Sequence, residues 1–244
     1  MNPLEFNKGI IRPIECYKEA WELIKSDYWM LFAISLVGLL LGGFSLYIAL
    51  GPLICGIFIC FFRKIDTGTV NFDDLWKGFN FFVPSLIVIL IIIVPTLFLY
   101  GIIYAPILIA VVMGQNLSSE EFMGILVAAL AIDLIIIVVM VCFHTLVIFA
   151  LPLIVDRNLS AFQAIKLSMR AVWANLSGIA GMMGIQFVAS IVITFATCGL
   201  GAYFALPIMF GGMVVAYRKV FPSMNPINFA PPTPDNFREA GTYL

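Results

Sequence analysis

Residues 81–114 read FFVPSLIVILIIIVPTLFLYGIIYAPILIAVVMG, without one charged side chain. A helix rises 1.5 Å per residue, so about 20 apolar residues cross the roughly 30 Å hydrocarbon core of a bilayer. This run exceeds that length, and it decides the fold class: an all-α integral membrane protein. Three more stretches have the same character. Residues 28–62 suffice for two short spans, with Gly42-Gly43 as the predicted turn; residues 122–155 make another long span; residues 172–220 hold two, broken near Cys198-Gly199-Leu200-Gly201. The reading is six transmembrane helices, near 28–44, 46–63, 81–110, 122–154, 174–196 and 200–219. A re-entrant hairpin over 28–62 is the alternative.

Composition points the same way. Of 244 residues, 62% are hydrophobic and 11% charged, against about 45–50% and about 25% in soluble domains. Mean hydropathy is +1.08. A water-soluble fold of this size has too little interior for so much apolar surface. The net charge of −1 gives no reason to expect a nucleic-acid partner. Cys16, Cys55, Cys60, Cys142 and Cys198 form no C-x-x-C pair and read as small buried hydrophobes. Residues 1–27 mix acids and bases without a compact apolar segment, so no cleavable signal peptide is expected.

Charge position tests the span assignment. All 13 Lys and Arg residues fall before the first span, between the second and third, between the fourth and fifth, or after the sixth. The three opposite loops carry none, and the largest, 115–121, is charged only by Glu120 and Glu121. By the positive-inside rule both termini are cytoplasmic. A re-entrant 28–62 would have the same sidedness. Spans three and four are overlong, so they must tilt, kink or project; Pro95 and Pro106 are the expected kink points.

A repeat is visible. Pro52-x3-Gly56-x6-Arg63-Lys64 ends the second span, and Pro207-x3-Gly211-x6-Arg218-Lys219 ends the sixth with identical spacing. Upstream of each lies an amphipathic segment with a tryptophan. Ile14, Tyr17, Trp21 and Ile24 share one helical face; Phe162, Ile165, Met169 and Trp173 echo it; Phe72, Leu75, Trp76 and Phe79 form a shorter version. Lys18 and Arg170 each stand three residues before their tryptophan. Such helices lie in the headgroup plane, with Trp21, Trp76 and Trp173 as interfacial anchors in contact with membrane lipids. The expected architecture is a single membrane domain over 1–220. It comprises three units, near 12–64, 67–155 and 158–220, each an interfacial helix plus two spans. Their parity makes the repeat parallel, not inverted.

The stretch Leu151-Pro-Leu-Ile-Val-Asp156, then Leu159-Ser160-Ala161, Ala164-Ile165-x2-Ser168 and Trp173-x-Asn175, resembles a widespread bacterial group. The ending Gly199-x-Gly201…Pro207-x9-Tyr217-Arg218 does too. The group comprises six-span membrane proteins of unknown function, similar to the membrane domain attached to some glycerophosphodiester phosphodiesterases. The resemblance covers about residues 15–220. It implies an inner (plasma) membrane location and an anchor or auxiliary role. It supplies no catalytic residue, because that chemistry belongs to a separate soluble domain.

Chemistry-bearing residues are few. One histidine forms no metal cluster, and no H-E-x-x-H, phosphate-binding loop or G-x-S-x-G occurs. No cofactor or metal is expected, and the chain reads as non-enzymatic. Asp133 and His144 are ionisable residues inside the fourth span, about three turns apart on one face and roughly 16 Å apart along it. They are either a cation path or local kink and interhelix bonds. Gly38, Gly42, Gly43, Gly178, Gly181 and Gly184 are spaced for close helix contact. Asp73-Asp74 and Glu120-Glu121 read as solvated acids. Residues 221–244 form a Pro-rich tail whose Phe221, Phe229, Phe237 and Tyr243 are candidate anchors, on this protein's own face or on a partner.

These features favour a non-catalytic accessory or scaffold subunit binding a protein partner through that tail. The alternative is a transporter or lipid-handling protein with an apolar cavity walled by Asp133 and His144. An enzyme would need Asp73, Asp74, Asp156, Arg157 and His144 to converge.

Overall fold

The computed structural model describes residues 5–112 and 118–223. Nine α-helices are found among them: α1 (Pro13–Ile24), α2 (Tyr28–Phe44), α3 (Leu50–Thr67), α4 (Phe82–Val112), α5 (Ser119–Leu146), α6 (Ala150–Arg157), α7 (Ala161–Ala174), α8 (Leu176–Ala196) and α9 (Gly201–Val220). A 3₁₀ helix, Phe72–Phe81, precedes α4. Helix ends follow local chemistry. Pro13 opens α1. Ser118 with Glu121 and Ser160 with Gln163 form capping boxes at α5 and α7. Gly68 and Asn158, both left-handed, stop α3 and α6.

Among the described residues, five helical segments are long and apolar enough to cross a membrane: Pro13–Phe44, Phe72–Ala105, Glu120–Arg157, Leu176–Ala196 and Gly201–Val220. The chain is therefore an all-α, multi-pass membrane protein. The outward surface fits this: Leu97, Phe98, Leu134, Ile135, Phe187 and Phe195 are all exposed, as a bilayer permits and water does not. The other long helix, α3, ends in Arg63, Lys64 and Asp66 and is the most enclosed, burying Leu53, Ile57, Phe58, Phe61 and Phe62.

The densest packing lies at the basic end of the bundle, where α3, α6 and α9 finish. Phe149, Leu153, Tyr217 and Phe221 are almost wholly buried there. Three short amphipathic elements each dock on a helix that finishes at the basic end. The 3₁₀ helix packs on α3, α7 on α6, and α1 on α9. The last contact closes a ring. The 3₁₀ form, in place of the α period expected over 71–81, has a steric cause. Its three-residue turn stacks Leu75 and Gly78 on one face. There a Cβ on Gly78 would stand 2.0 Å from the Pro52 carbonyl oxygen, and one on Gly56 would stand 1.9 Å from that of Leu75.

Two expectations are corrected. Helix α2 runs through Gly42 and Gly43 to Phe44, and the turn lies between Phe44 and Leu50. Gly42 is a packing site against Leu50 rather than a turn residue. The long stretch 122–155 is not one helix but two, α5 and α6, separated at residues 147–149. Pro152 explains the break, because a proline in the first turn of α6 cannot donate back to Ile148. The freed groups are satisfied from α7: the Ser168 hydroxyl donates to the Leu146 carbonyl (2.8 Å) and accepts the Phe149 N–H (3.1 Å).

Candidate functional site

The interior of the bundle holds two adjoining apolar cavities. One, of about 450 Å³, lies among Ile54 and Phe58 of α3, Val88, Ile89, Ile92 and Ile93 of α4, and His144. The other, of about 210 Å³, lies among Leu39, Ile179, Met182, Gln186 and Met209. Ile148, Met183, Phe210 and Met213 line both. The larger falls within the roughly 300–1,000 Å³ of small-molecule sites; even the smaller exceeds the roughly 150 Å³ apolar cavity that binds benzene. Helix α5 packs on α4 and α7, and α8 on α9, α1 and α7. Among the described residues no close α5–α8 packing joins these two helices, and both cavities are partly open.

His144 reaches the larger cavity; Asp133 does not line it. Asp133 instead accepts the Tyr104 hydroxyl of α4, in a short hydrogen bond. Its other carboxylate oxygen is buried without a partner. The His144 Nδ1 bonds the Met140 carbonyl one turn back (2.7 Å). The two residues share a helix but not a site. Nor do the acids converge on His144: Asp74 pairs with Arg63 and Lys77, and Asp156 with Arg218. Among the described residues, no three His, Cys, Asp or Glu side chains gather to hold a metal.

The basic end carries an ion network that sequence reading missed. Arg218 bonds Asp156 Oδ1 (2.7 Å) and Asp66 Oδ2 (2.9 Å), and Tyr217 donates to Asp156 Oδ2 (2.8 Å). The guanidinium lies 4.4 Å from the Phe62 ring centre. Burial pushes the Asp66 carboxyl above its ordinary range; the Asp156 charge adds to this, and Arg218 opposes it. The recurring Arg-Lys pair was the available signal: Arg63 bonds Asp74, Lys64 bonds Asp27, Arg218 bonds Asp66 and Asp156, and Lys219 bonds Glu19.

The predicted anchors Trp21, Trp76 and Trp173 are all exposed, and so is Trp29, which was not singled out. On α7 Phe162, Met169 and Trp173 of the expected face point out, while Ile165 of the same face is half-buried against the core. On α1, Ile14 and Trp21 face out, but Ile24 is buried with Cys16 and Ala20 against α9. Of the tail aromatics, Phe221 packs within the chain's own core against Phe6, Phe149 and Tyr217 and is fully buried, so it offers no surface to a partner. Phe229, Phe237 and Tyr243 lie outside the described residues.

Fold and interior define a class: a multi-pass helical membrane protein with apolar cavities between its spans. Compared with protein-family models, with curated proteins and with solved structures, the chain matches none. The likeness to the six-span bacterial group therefore stands on the quoted residues alone.

Proposed function

We propose that this protein is a lipid-handling membrane protein that takes an apolar chain from the bilayer into the cavities between its spans. The observation that carries this reading is the pair of partly open apolar cavities sharing Ile148, Met183, Phe210 and Met213. Apolar space of this size open to hydrocarbon has no reason to stay empty when a chain can fill it and regain dispersion contacts. Tyr47, His144 and Gln186 are the polar side chains on their walls, suited to orienting an ester or hydroxyl end. Asp133 has no part in this reading.

The arrangement behind it is six spans in three units, α3 being the second span. The ring of docked amphipathic elements and the like pairing of Arg63-Lys64 and Arg218-Lys219 support it. By the positive-inside rule the basic end is cytoplasmic, and the resemblance places the protein in a bacterial inner membrane. The accessory-subunit reading rests on residues beyond 223, and co-purification with a partner is its test.

The test of the lipid reading is native mass spectrometry of protein extracted in mild detergent. A co-purifying lipid is expected, and Met183→Trp and Met213→Trp, which fill the shared wall, should each displace it while the protein remains folded. Lipid-free wild-type protein, or retention unchanged in both variants, refutes the reading.

A further inference from the structure

Twelve of the 13 basic residues fall within the described segments. Most are engaged with the protein itself. Arg12, Lys25, Arg63, Lys64, Lys77, Arg218 and Lys219 are in ion pairs, and Arg157 bonds the carbonyls of Glu5 and Pro222. Among the described residues, Lys8, Lys18, Lys166 and Arg170 make no hydrogen bond or ion pair within the chain. All four stand on the amphipathic helices or the segment leading into them. Two of them, far apart in sequence, meet in one cleft.

That cleft, shallow and open to the outside, is lined by Glu5, Phe6, Lys8, Arg170, Trp173 and Ala174. Its two walls are fixed by Asn175, itself 2% exposed. The Asn175 side chain accepts the Gly9 N–H (2.7 Å) and donates to the Asn7 carbonyl (3.0 Å). The Asn7 N–H in turn donates to the Val220 carbonyl (2.8 Å). Lys8 is thereby held opposite α7. Trp173, 64% exposed, stands beside the cations, and tryptophan favours the headgroup level of a bilayer. Phe162 and Met169 continue an outward apolar surface along α7.

We propose that this cleft binds the phosphate of a phospholipid headgroup. Two cations against the single Glu5 carboxylate leave one net positive charge, matched to a phosphodiester's single negative one. The Arg170 guanidinium supplies paired donors for two phosphate oxygens, and Lys8 a point charge. The outward faces of α1 and α7 place the cleft where such phosphates are densest. The site does not depend on the interior cavities, and Met183→Trp leaves it intact.

The test uses the delipidated full-length protein titrated with phosphatidylglycerol and read by native mass spectrometry. A galactolipid of the same acyl chains serves as the phosphate-free control, and inorganic phosphate as competitor. Lys8→Gln with Arg170→Gln should weaken the tightest phosphatidylglycerol about thirtyfold, two basic contacts being lost. Lys18→Gln with Lys166→Gln removes equal charge elsewhere and should change it less than about twofold. Arg170→Lys should give an intermediate loss, at unchanged thermal stability. Equal losses in both double variants would reduce the effect to diffuse surface charge and overturn the site. Equal galactolipid binding overturns the phosphate, and full displacement by millimolar inorganic phosphate overturns the lipid as its source.

Discussion

Ser168 holds Leu146 at the point where the apolar stretch 122–155 breaks: its hydroxyl donates to the Leu146 carbonyl at 2.8 Å while accepting the Phe149 N–H at 3.1 Å. One side chain thus joins α7 to both ends of the turn. Ser168→Ala leaves a donor and an acceptor unpaired in apolar surroundings, at about 1–3 kcal/mol for each group stranded. Thermal unfolding in detergent should show a clear fall in midpoint, and a change within error would show that the break is held by other contacts.

The two carboxylates on Arg218 should respond differently. Asp156 serves both Arg218 and Tyr217, so Asp156→Ala should cost about 3–5 kcal/mol, the usual penalty for breaking a buried pair. Asp66 is the partner whose carboxyl burial pushes up. A raised folded-state pKa means the folded protein holds that proton more tightly than the unfolded chain. The associated stability is full at low pH and is lost as pH rises from the ordinary carboxylate range through the raised value. Relative to wild type, Asp66→Asn should therefore gain stability as pH rises through that window. A difference that runs the other way in a pH series of unfolding midpoints would contradict this assignment.

Gly56 and Gly78 allow the 3₁₀ helix to touch the α3 backbone. Gly56→Ala or Gly78→Ala drives a methyl group into a carbonyl that cannot move alone, and should cost at least the roughly 1–3 kcal/mol of overpacking. Gly43 and Gly184 have nothing within 4 Å of a built Cβ. Their alanine variants should be neutral or stabilising by up to about 1 kcal/mol through helix propensity. Expression and thermal midpoints of the four variants together check the contrast.

Tyr104 and Asp133 join α4 to α5. Tyr104→Phe removes the donor and strands a carboxylate, so it should destabilise by about 1–3 kcal/mol. Asp133→Leu removes the costly group itself and should be milder. Protease protection of the α4–α5 pair measures both. Equal damage from the two variants would show that the bond has no special weight.

Membrane residence, the outward faces of Phe162, Met169 and Trp173, and the turn near Cys198 were legible because each is a local pattern of apolarity or turn chemistry. Other features were hidden for physical reasons. Gly42 reads as a breaker in isolation, and only Leu50 opposite shows it to be a contact. Ile24 shares a helical face with Trp21 by periodicity, yet the small Cys16 and Ala20 turn that side of α1 onto α9. The α5–α6 break could be read from Pro152, but its repair by Ser168 is non-local. The cavities were legible only as an idea: His144 reaches one, while Asp133, on the same face of the same helix, binds Tyr104 instead. The meeting of Lys8 with Arg170 leaves no trace in either local sequence.

Closure of the ring by α1 on α9 has a consequence for biogenesis. Helix α1 leaves the ribosome well before α9, the helix on which it docks. At about 5–20 residues per second, the interval between completing Ile24 and reaching Gly201 is roughly 10–35 seconds. Through that interval the Cys16–Ala20 side of α1 lacks α9, its main cover. Its other side, bearing Ile14 and Trp21, lets it wait on the membrane surface. A chain not yet extended through α9 leaves that side of α1 undocked, so synthesis of α9 is the step that completes the packing of α1.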